Sequence, residues 1–383
     1  MNSSNKKGFL LPPAVGYSFS VLFFLFGRHR ISFRYLFRTV ITLLINLINL
    51  PFRLYEKLFI NGRFKKASVK EDPVFILGHW RSGTTHLHNL LCQDPQMGYA
   101  TTYQSVFPDT LFNKAGRFLF EGFAKILIPG RRKGDNVTLG TALPQEEEFA
   151  LGDKTPISFY YFWMFPRHIK SFYDAFIRFI GIDPKMLESW KKDYSLLIKK
   201  ALKNTNKERY LSKNPPNTGR VKVLLEMFPN ARFIHIHRNP IEVYLSTHHF
   251  FTKMMPHLQL QSVDKQDLDD AIFQLYKDLM QDYLEQKDLI PQGNLVEVSF
   301  DELEKDPLGI IRTIYKDLNI PGYGQAESAF NTYVDKMQSY KKNTHVLTSD
   351  LIEKINREWG FAINKWDYQL PSHIEISKDA EQL

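Results

Sequence analysis

Cysteine is almost missing: Cys92 stands alone among 383 residues. No disulfide can therefore form within the chain, which fits a reducing compartment. Cys92 lies in an apolar stretch of helical type, where a buried, inert thiol is expected. Acid is nearly absent from residues 1–70, where Glu56 stands against twelve Lys and Arg. The remainder carries 38 basic and 40 acidic side chains, so the net charge of +9 belongs to the N-terminus. A basic body that would track nucleic acid is excluded, and nucleic acid is not expected as a partner.

Also absent is an apolar run of the ~20 residues that a membrane-crossing helix needs. "YSFSVLFFLFG" (17–27) and "TVITLLINLINL" (39–50) fall well short of that. No small-residue cleavage site follows the first run, and basic residues flank it on both sides, which argues against a signal peptide. Between the runs, Arg28, Arg30, Arg34 and Arg38 alternate with aromatic residues at near-helical spacing. A basic, aromatic-rich amphipathic helix of this kind lies on an anionic membrane surface. Helices packed on the body with their arginines outward are the plainer alternative, and a span lengthened through "LLPPAVG" is the third. Three regions are expected: a basic, apolar helical segment over 1–67, a body over 68–371, and a solvated tail over 372–383.

The body reads as alternating strands and helices. "PVFILG" (73–78), "RYLSKN" (209–214), "ARFIHIH" (231–237) and "NLVEVSF" (294–300) have strand character. "TGRVKVLLEMF" (218–228) and "DPLGIIRTIYKDLNI" (306–320) read as helices, and 100–205 as an aromatic-rich, mostly helical or irregular section. This alternation predicts an α/β fold: a P-loop-like parallel sheet with helices on both faces. Ligands of such sheets sit at the carboxyl ends of the strands.

Two polar motifs fall at those ends. In "FILGHWRSGTTHLHNLL" (75–91), a strand meets a glycine loop and then a helix, an arrangement that aims backbone N–H groups and a helix dipole at an anion. Gly78 and Gly83 have the spacing of a triphosphate-binding loop, but Thr84 and Thr85 stand where such a loop carries lysine and then Ser or Thr. The basic group, Arg81, lies inside the loop instead. In "RNPIEVYLST" (238–247), Arg238 ends a strand and Ser246 lies two helical turns on, so that both can reach one anion; an arginine fork with a hydroxyl suits a phosphate monoester.

With these pieces in order, the chain resembles the sulfotransferases that use 3′-phosphoadenosine 5′-phosphosulfate (PAPS), in the bacterial and Golgi-like branch with an "RSGTT" loop. The resemblance covers about residues 70–345 and rests on "GHWRSGTT", "SKNPP", "PNARFIHIHRNPIEVYLST" and "EVSFDELEKDPLGIIRTIYKDLNI". It implies the sulfotransferase fold and PAPS as donor. It also implies that Arg81, Ser82, Gly83, Thr84 and Thr85 bind the 5′-phosphosulfate, and that Arg238 and Ser246 bind the 3′-phosphate. Lys213 resembles the family lysine that reaches the transferring group. Where cytosolic relatives stack a tryptophan on adenine, this chain has His86, so stacking there is not implied.

Sulfuryl transfer is an in-line displacement through a loose transition state, with charge growing on the leaving phosphate. Arg81, Lys213 and the loop amides can meet that charge, so no metal is required; "HLH" (86–88) and "HH" (248–249) read as packing or cofactor contacts. The acceptor hydroxyl needs a base, and "LPQEEEFAL" (143–151) resembles an acidic stretch of the same branch. On a helix begun at Pro144, Glu146 would share a face with Phe149 and Ala150, and a part-buried carboxylate makes the better base. Glu146 or Glu147 is expected to be catalytic and Glu148 is not, although acids in a first helical turn can simply complement the dipole. The aromatic residues of 100–190 suggest a lipophilic hydroxyl acceptor, with the enzyme peripheral on the cytoplasmic face of the cell membrane. The alternatives are a small-molecule kinase or NTPase on a related P-loop fold, which would need the missing lysine and an acidic magnesium ligand, and a non-enzymatic membrane scaffold.

Overall fold

The structure is a computed structural model in which residues 14–127, 140–336 and 345–377 are described. Its centre is a parallel sheet of β1 (Val74–Leu77), β2 (Met97–Gly98), β3 (Arg209–Lys213), β4 (Arg232–His237) and β5 (Leu295–Ser299), in the order β2-β3-β1-β4-β5. β1 is buried throughout, as expected of a central strand covered on both faces. Alternation sends Phe75 and Leu77 into the larger core cluster and Val74 and Ile76 into the smaller one. On β3, Tyr210 joins the first cluster and Leu211 the second. Ser212 and Lys213 therefore leave the strand on opposite faces.

The carboxyl ends of the strands are set by short, well-capped turns. Asn239 accepts from the Ile241 amide at 3.1 Å and Pro240 opens the helix Pro240–Leu258, which fixes its start immediately after β4. Ser299 and Glu302 form a capping box at the end of β5. Every strand expected in the body is present and parallel. The expected helix over 218–228 is divided into a 3₁₀ turn, Pro215–Gly219, and the helix Val221–Met227. A separate parallel pair, β6 (His345–Thr348) with β7 (Ile374–Ser377), has no counterpart in the sequence reading. Residues 374–377 of the expected tail are thus paired as a strand, and its last six residues lie outside the described ones.

The N-terminal segment differs from expectation in three ways. The first apolar run forms the helix Phe19–Phe26, whose Val21, Leu22 and Leu25 are fully buried in the main core. It is an ordinary packed helix. The basic stretch between the runs is not a helix: Arg28 and Arg30 lie in turn or irregular chain, and Arg34 in a 3₁₀ turn. Arg38 donates to the Gln259 carbonyl at 3.1 Å. The second run is not confined to a dozen residues. Helical structure continues from Phe33 to Lys65, long and apolar enough to cross a membrane by length and composition.

Candidate active site

After β1 the chain turns through 78–83 into the helix Thr84–Leu91. Gly78, Arg81 and Gly83 adopt positive φ of 142°, 71° and 95°. A Cβ on Gly78 would lie 2.4 Å from the Ile236 carbonyl oxygen, and one on Gly83 would lie 2.2 Å from the Phe300 ring. Only glycine fits either place. A non-glycine residue at φ 71° is backbone strain of the kind that collects at functional sites. The Thr218 hydroxyl accepts from the Gly78 amide at 2.8 Å and donates to its carbonyl at 3.2 Å, which ties the loop to the turn after β3. The Ser82 amide donates to the His79 carbonyl at 3.1 Å; Ser82 and Thr84 are buried and Thr85 half-buried. Gly83 is the helix N-cap with no side-chain cap, so the first amides are not closed off, which suits an anion.

Three of the expected anion ligands meet beside this loop. Arg81 Nε lies 2.9 Å from Ser246 Oγ, and Arg238 Nη1 lies 3.4 Å from the Arg81 carbonyl oxygen. Glu242, Ser246 and Phe250 fall at four-residue intervals on one face of Pro240–Leu258, opposite these arginines. Arg238 Nε donates to Glu242 at 3.1 Å, and the Arg81 guanidinium stands 5.1 Å from the Phe250 ring centre. His373 Nε2 lies 3.2 Å from the other oxygen of Glu242. The Arg238 guanidinium lies 4.4 Å above Phe300. His86 sits edge-on to the same ring at 6.4 Å, and burial lowers its pKa, so it is a neutral imidazole there.

A second charged group lies at the end of β3. Lys213 pairs in register with Ile76, two residues before the loop, and its ammonium is 2.5 Å from Glu146 Oε1. Both side chains are almost fully buried. The Tyr160 hydroxyl donates to Glu146 Oε2 and accepts from Trp80 Nε1 at 3.0 Å, so the pair is joined to the loop through two aromatic side chains. Burial, and then the Glu146 charge, push the Tyr160 phenol well above its ordinary pKa and keep it a neutral donor.

The three neighbouring glutamates have separate surroundings. Glu146 is the N-cap of Glu147–Lys154, not a residue within a helix begun at Pro144. Glu147 is fully buried against Ser212 and against Tyr194 at 2.7 Å, beneath the opposite face of β3. Its burial raises the carboxyl pKa despite these hydrogen bonds. Glu148 receives Arg220 on both oxygens at 2.7 and 2.9 Å, Asn214 at 2.8 Å and the Phe159 amide at 2.8 Å. Burial would raise its pKa, but Arg220 outweighs that and lowers it. Glu148 is bound up in structure. Among the described residues, no group of three or more His, Cys, Asp or Glu is placed to hold a metal ion.

A model of the sulfotransferase family matches residues 73–324. This chain belongs to that family. Over 360 residues it is 30% identical to proteins of Mycobacterium bovis and Mycobacterium tuberculosis, covering 93% of this chain and 91% of theirs. Each is named omega-hydroxy-beta-dihydromenaquinone-9 sulfotransferase. Among solved structures, sulfotransferase STF1 of M. tuberculosis superposes with a TM-score of 0.63 at 15% identity, over 89% of this chain and 90% of that one. Sulfotransferase STF9 of Mycobacterium avium gives 0.59 at 20% identity, over 83% and 82%. These two show the fold alone.

The sulfotransferase fold thus gathers Arg81, Arg238 and Ser246 at one point and Lys213 with Glu146 at another, with the 78–83 loop between. Glu147 is hydrogen-bonded to Ser212 and Tyr194 instead, on the other face of β3, although the Lys213 charge still reaches its carboxyl. Sequence reasoning missed Tyr160, Trp80, Thr218 and Phe300. Thr218 and Phe300 immediately follow strand-end motifs and could have been suspected from position. Trp80 stands inside the quoted loop, next to Arg81, and could have been suspected too; Tyr160 could not, because an aromatic residue in so aromatic a section carries no mark of where it folds.

Proposed function

We propose that this sulfotransferase moves a sulfuryl group from PAPS to a hydroxyl of a lipophilic acceptor, with Glu146 as general base. The observation that carries the donor assignment is the meeting of Arg81 with Ser246 at 2.9 Å, beside Arg238 and an uncapped, glycine-walled loop. Two anion-binding centres on neighbouring strand ends fit a nucleotide with phosphate at both its 3′ and 5′ positions. The amides of 83–85 with Arg81 would hold the 5′-phosphosulfate, and Arg238 with Ser246 the 3′-phosphate.

In the reaction the acceptor oxygen attacks sulfur as the bond from sulfur to the 5′-phosphate oxygen breaks. The acceptor proton passes to Glu146, and adenosine 3′,5′-bisphosphate leaves with the bond's electron pair. Charge grows on that leaving oxygen, so preorganised cations there lower the barrier most. Lys213 is suited to this role because its long side chain starts from the strand end below the loop. Glu146 holds the ammonium in place and is itself held by Tyr160, so cation, base and loop share one geometry.

For the acceptor, the mycobacterial relatives are named for omega-hydroxy-beta-dihydromenaquinone-9, a hydroxylated isoprenoid quinone. An isoprenoid alcohol of that chemical class is the acceptor we assign, in keeping with the aromatic wall formed by Phe149, Tyr160 and Trp80 near Glu146. The enzyme would meet it at the cytoplasmic face of the cell membrane, the side on which bacteria make PAPS. The test is transfer from ³⁵S-labelled PAPS to an ω-hydroxylated polyisoprenoid in mixed micelles, with a water-soluble phenol alongside. Preference for the polyisoprenoid by at least tenfold in kcat/KM is expected. Equal or better use of the phenol would overturn the acceptor assignment and leave the donor intact.

A further inference from the structure

The helical stretch from Phe33 to Lys65 is amphipathic in the inverted sense. Thr39, Thr42, Asn46, Asn49, Arg53 and Glu56, spaced three or four apart, are buried against the body. Phe37, Val40, Leu44, Leu47, Leu58 and Phe59 point outward, with Phe37 77% and Leu58 70% exposed. In water this places polar groups inside and large apolar ones outside. The neighbouring helix Lys114–Leu127 extends the same surface: Gly116 packs on Phe52, the Phe52 and Phe120 rings meet at 5.8 Å, and Phe118 is 86% exposed. An apolar face of this extent marks an interaction site.

What covers it follows from its rim and its back. Exposed Arg28, Arg30 and Arg34 lie at one end and exposed Lys57, Arg63 and Lys65 at the other, placed to meet anionic headgroups. The buried side is fastened to the body. Asn46 exchanges hydrogen bonds with the Gly16 amide (2.8 Å) and the Ala14 carbonyl (2.9 Å). Arg53 reaches the Asp153 carbonyl at 2.8 Å and Asp109 at 2.9 Å, and Glu56 reaches Lys200 at 2.6 Å. Crossing a bilayer would tear these groups away and leave them in hydrocarbon, where an unmatched polar group is costly.

We propose that this surface embeds in one leaflet of an anionic phospholipid bilayer, with Phe33–Lys65 lying in the membrane plane and its polar stripe still bound to the body. The helix is then a float, not a span. This deepens the membrane-surface reading above, and it also gives the active site a fixed attachment to the membrane. Asp153, whose carbonyl Arg53 binds, belongs to the same eight-residue helix whose N-cap is Glu146.

The test reads binding and depth, not turnover, so it stands apart from the assignment of donor and acceptor. The full chain is mixed with vesicles of phosphatidylcholine containing 30% phosphatidylglycerol and floated on a density gradient. Flotation is expected, with at least tenfold weaker binding for Leu44→Asp/Leu47→Asp and for Phe118→Asp. Both variants should keep the wild-type circular dichroism and bisphosphate affinity. Val40→Trp, Leu47→Trp and Leu58→Trp are then made singly and quenched by lipids brominated at different depths. Positions 40 and 58 are about 27 Å apart along a helix. Similar, shallow depths for all three are expected, read as the increment over the five native tryptophans. A deep Leu47→Trp between two shallow ends would mean a span and overturn the proposal. So would unchanged binding of the aspartate variants, or no flotation with a concentration-dependent dimer that those variants abolish.

Discussion

Glu146→Gln is expected to lower kcat by about 10²–10⁴-fold, the range for loss of a positioned general base. Affinity for adenosine 3′,5′-bisphosphate should stay within about threefold. The substitution keeps shape and removes the ability to take the acceptor proton, and it also loosens the hold on Lys213, now 2.5 Å away. Both losses fall on the chemical step. Glu147→Gln is the control made by the protein itself. Its carboxyl lies on the other side of β3, bonded to Ser212 and Tyr194. Because burial raises its pKa, the neutral amide resembles the form that burial favours. Turnover should stay within about threefold of wild type. A raised folded-state pKa gives stability that is present below the unfolded value and lost as pH rises. Thermal melts should therefore move in the variant's favour as pH increases from about 4 toward neutrality. Loss of activity in Glu147→Gln with retention in Glu146→Gln would reverse the assignment.

Arg53→Ala is expected to destabilise the protein by about 3–5 kcal/mol, the usual cost of removing one partner from a buried ionic network. Arg53 donates to the Gly16 carbonyl at 2.6 Å and the Asp153 carbonyl at 2.8 Å, and pairs with Asp109 at 2.9 Å. Lys154 pairs with Asp109 at 2.6 Å, and Lys200 joins Asp109 to Glu56. Glu56 in turn accepts from the Phe112 and Asn113 amides. Burial alone would raise the Asp109 carboxyl, but Lys154, Arg53 and Lys200 outweigh it and hold it well below the ordinary range. A depressed carboxyl gives stability that is full above the unfolded pKa near 3.9 and lost as pH falls below it. Acid melts of the wild type should steepen below about pH 4, and less so in Arg53→Ala. Urea denaturation measures the main effect. Because this network and the buried Phe19–Phe26 helix both reach into the body, a chain begun at residue 68 is expected to be insoluble. A folded, active 68–383 chain would contradict this account of the N-terminus.

The parallel sheet was legible because β1 is a continuous apolar run, β4 and β5 carry β-branched residues at alternate positions, and strands alternate with helices along the body. The meeting of Arg81, Arg238 and Ser246 was legible too: a cation at a strand end and a hydroxyl two helical turns later in the next helix face the same loop. The partners that separate Glu146, Glu147 and Glu148 were not, although the sequence already sets Glu148 aside. Three adjacent acids look alike in sequence, and their roles come from Lys213, Ser212 with Tyr194, and Arg220, which approach from distant parts of the chain. The N-terminus misled for a related reason. Apolar run length says how much grease is present, not which side faces the body. The signal that was there, polar residues at 39, 42, 46, 49, 53 and 56, has the spacing of a helix face but the opposite of its usual meaning. Phe300 was read only as the end of a strand; its position hinted at the site, but its place beneath Arg238 and against Gly83 comes from close approach across the loop.

The most direct test of the central assignment is calorimetric titration with adenosine 3′,5′-bisphosphate in the absence of magnesium, with ATP and GTP as controls and Arg238→Ala alongside. The account predicts tight binding of the bisphosphate alone, weakened about 10–100-fold in the variant, as expected for loss of charged hydrogen bonds to one phosphate. No bisphosphate binding, or binding only of ATP or GTP with magnesium, would contradict it.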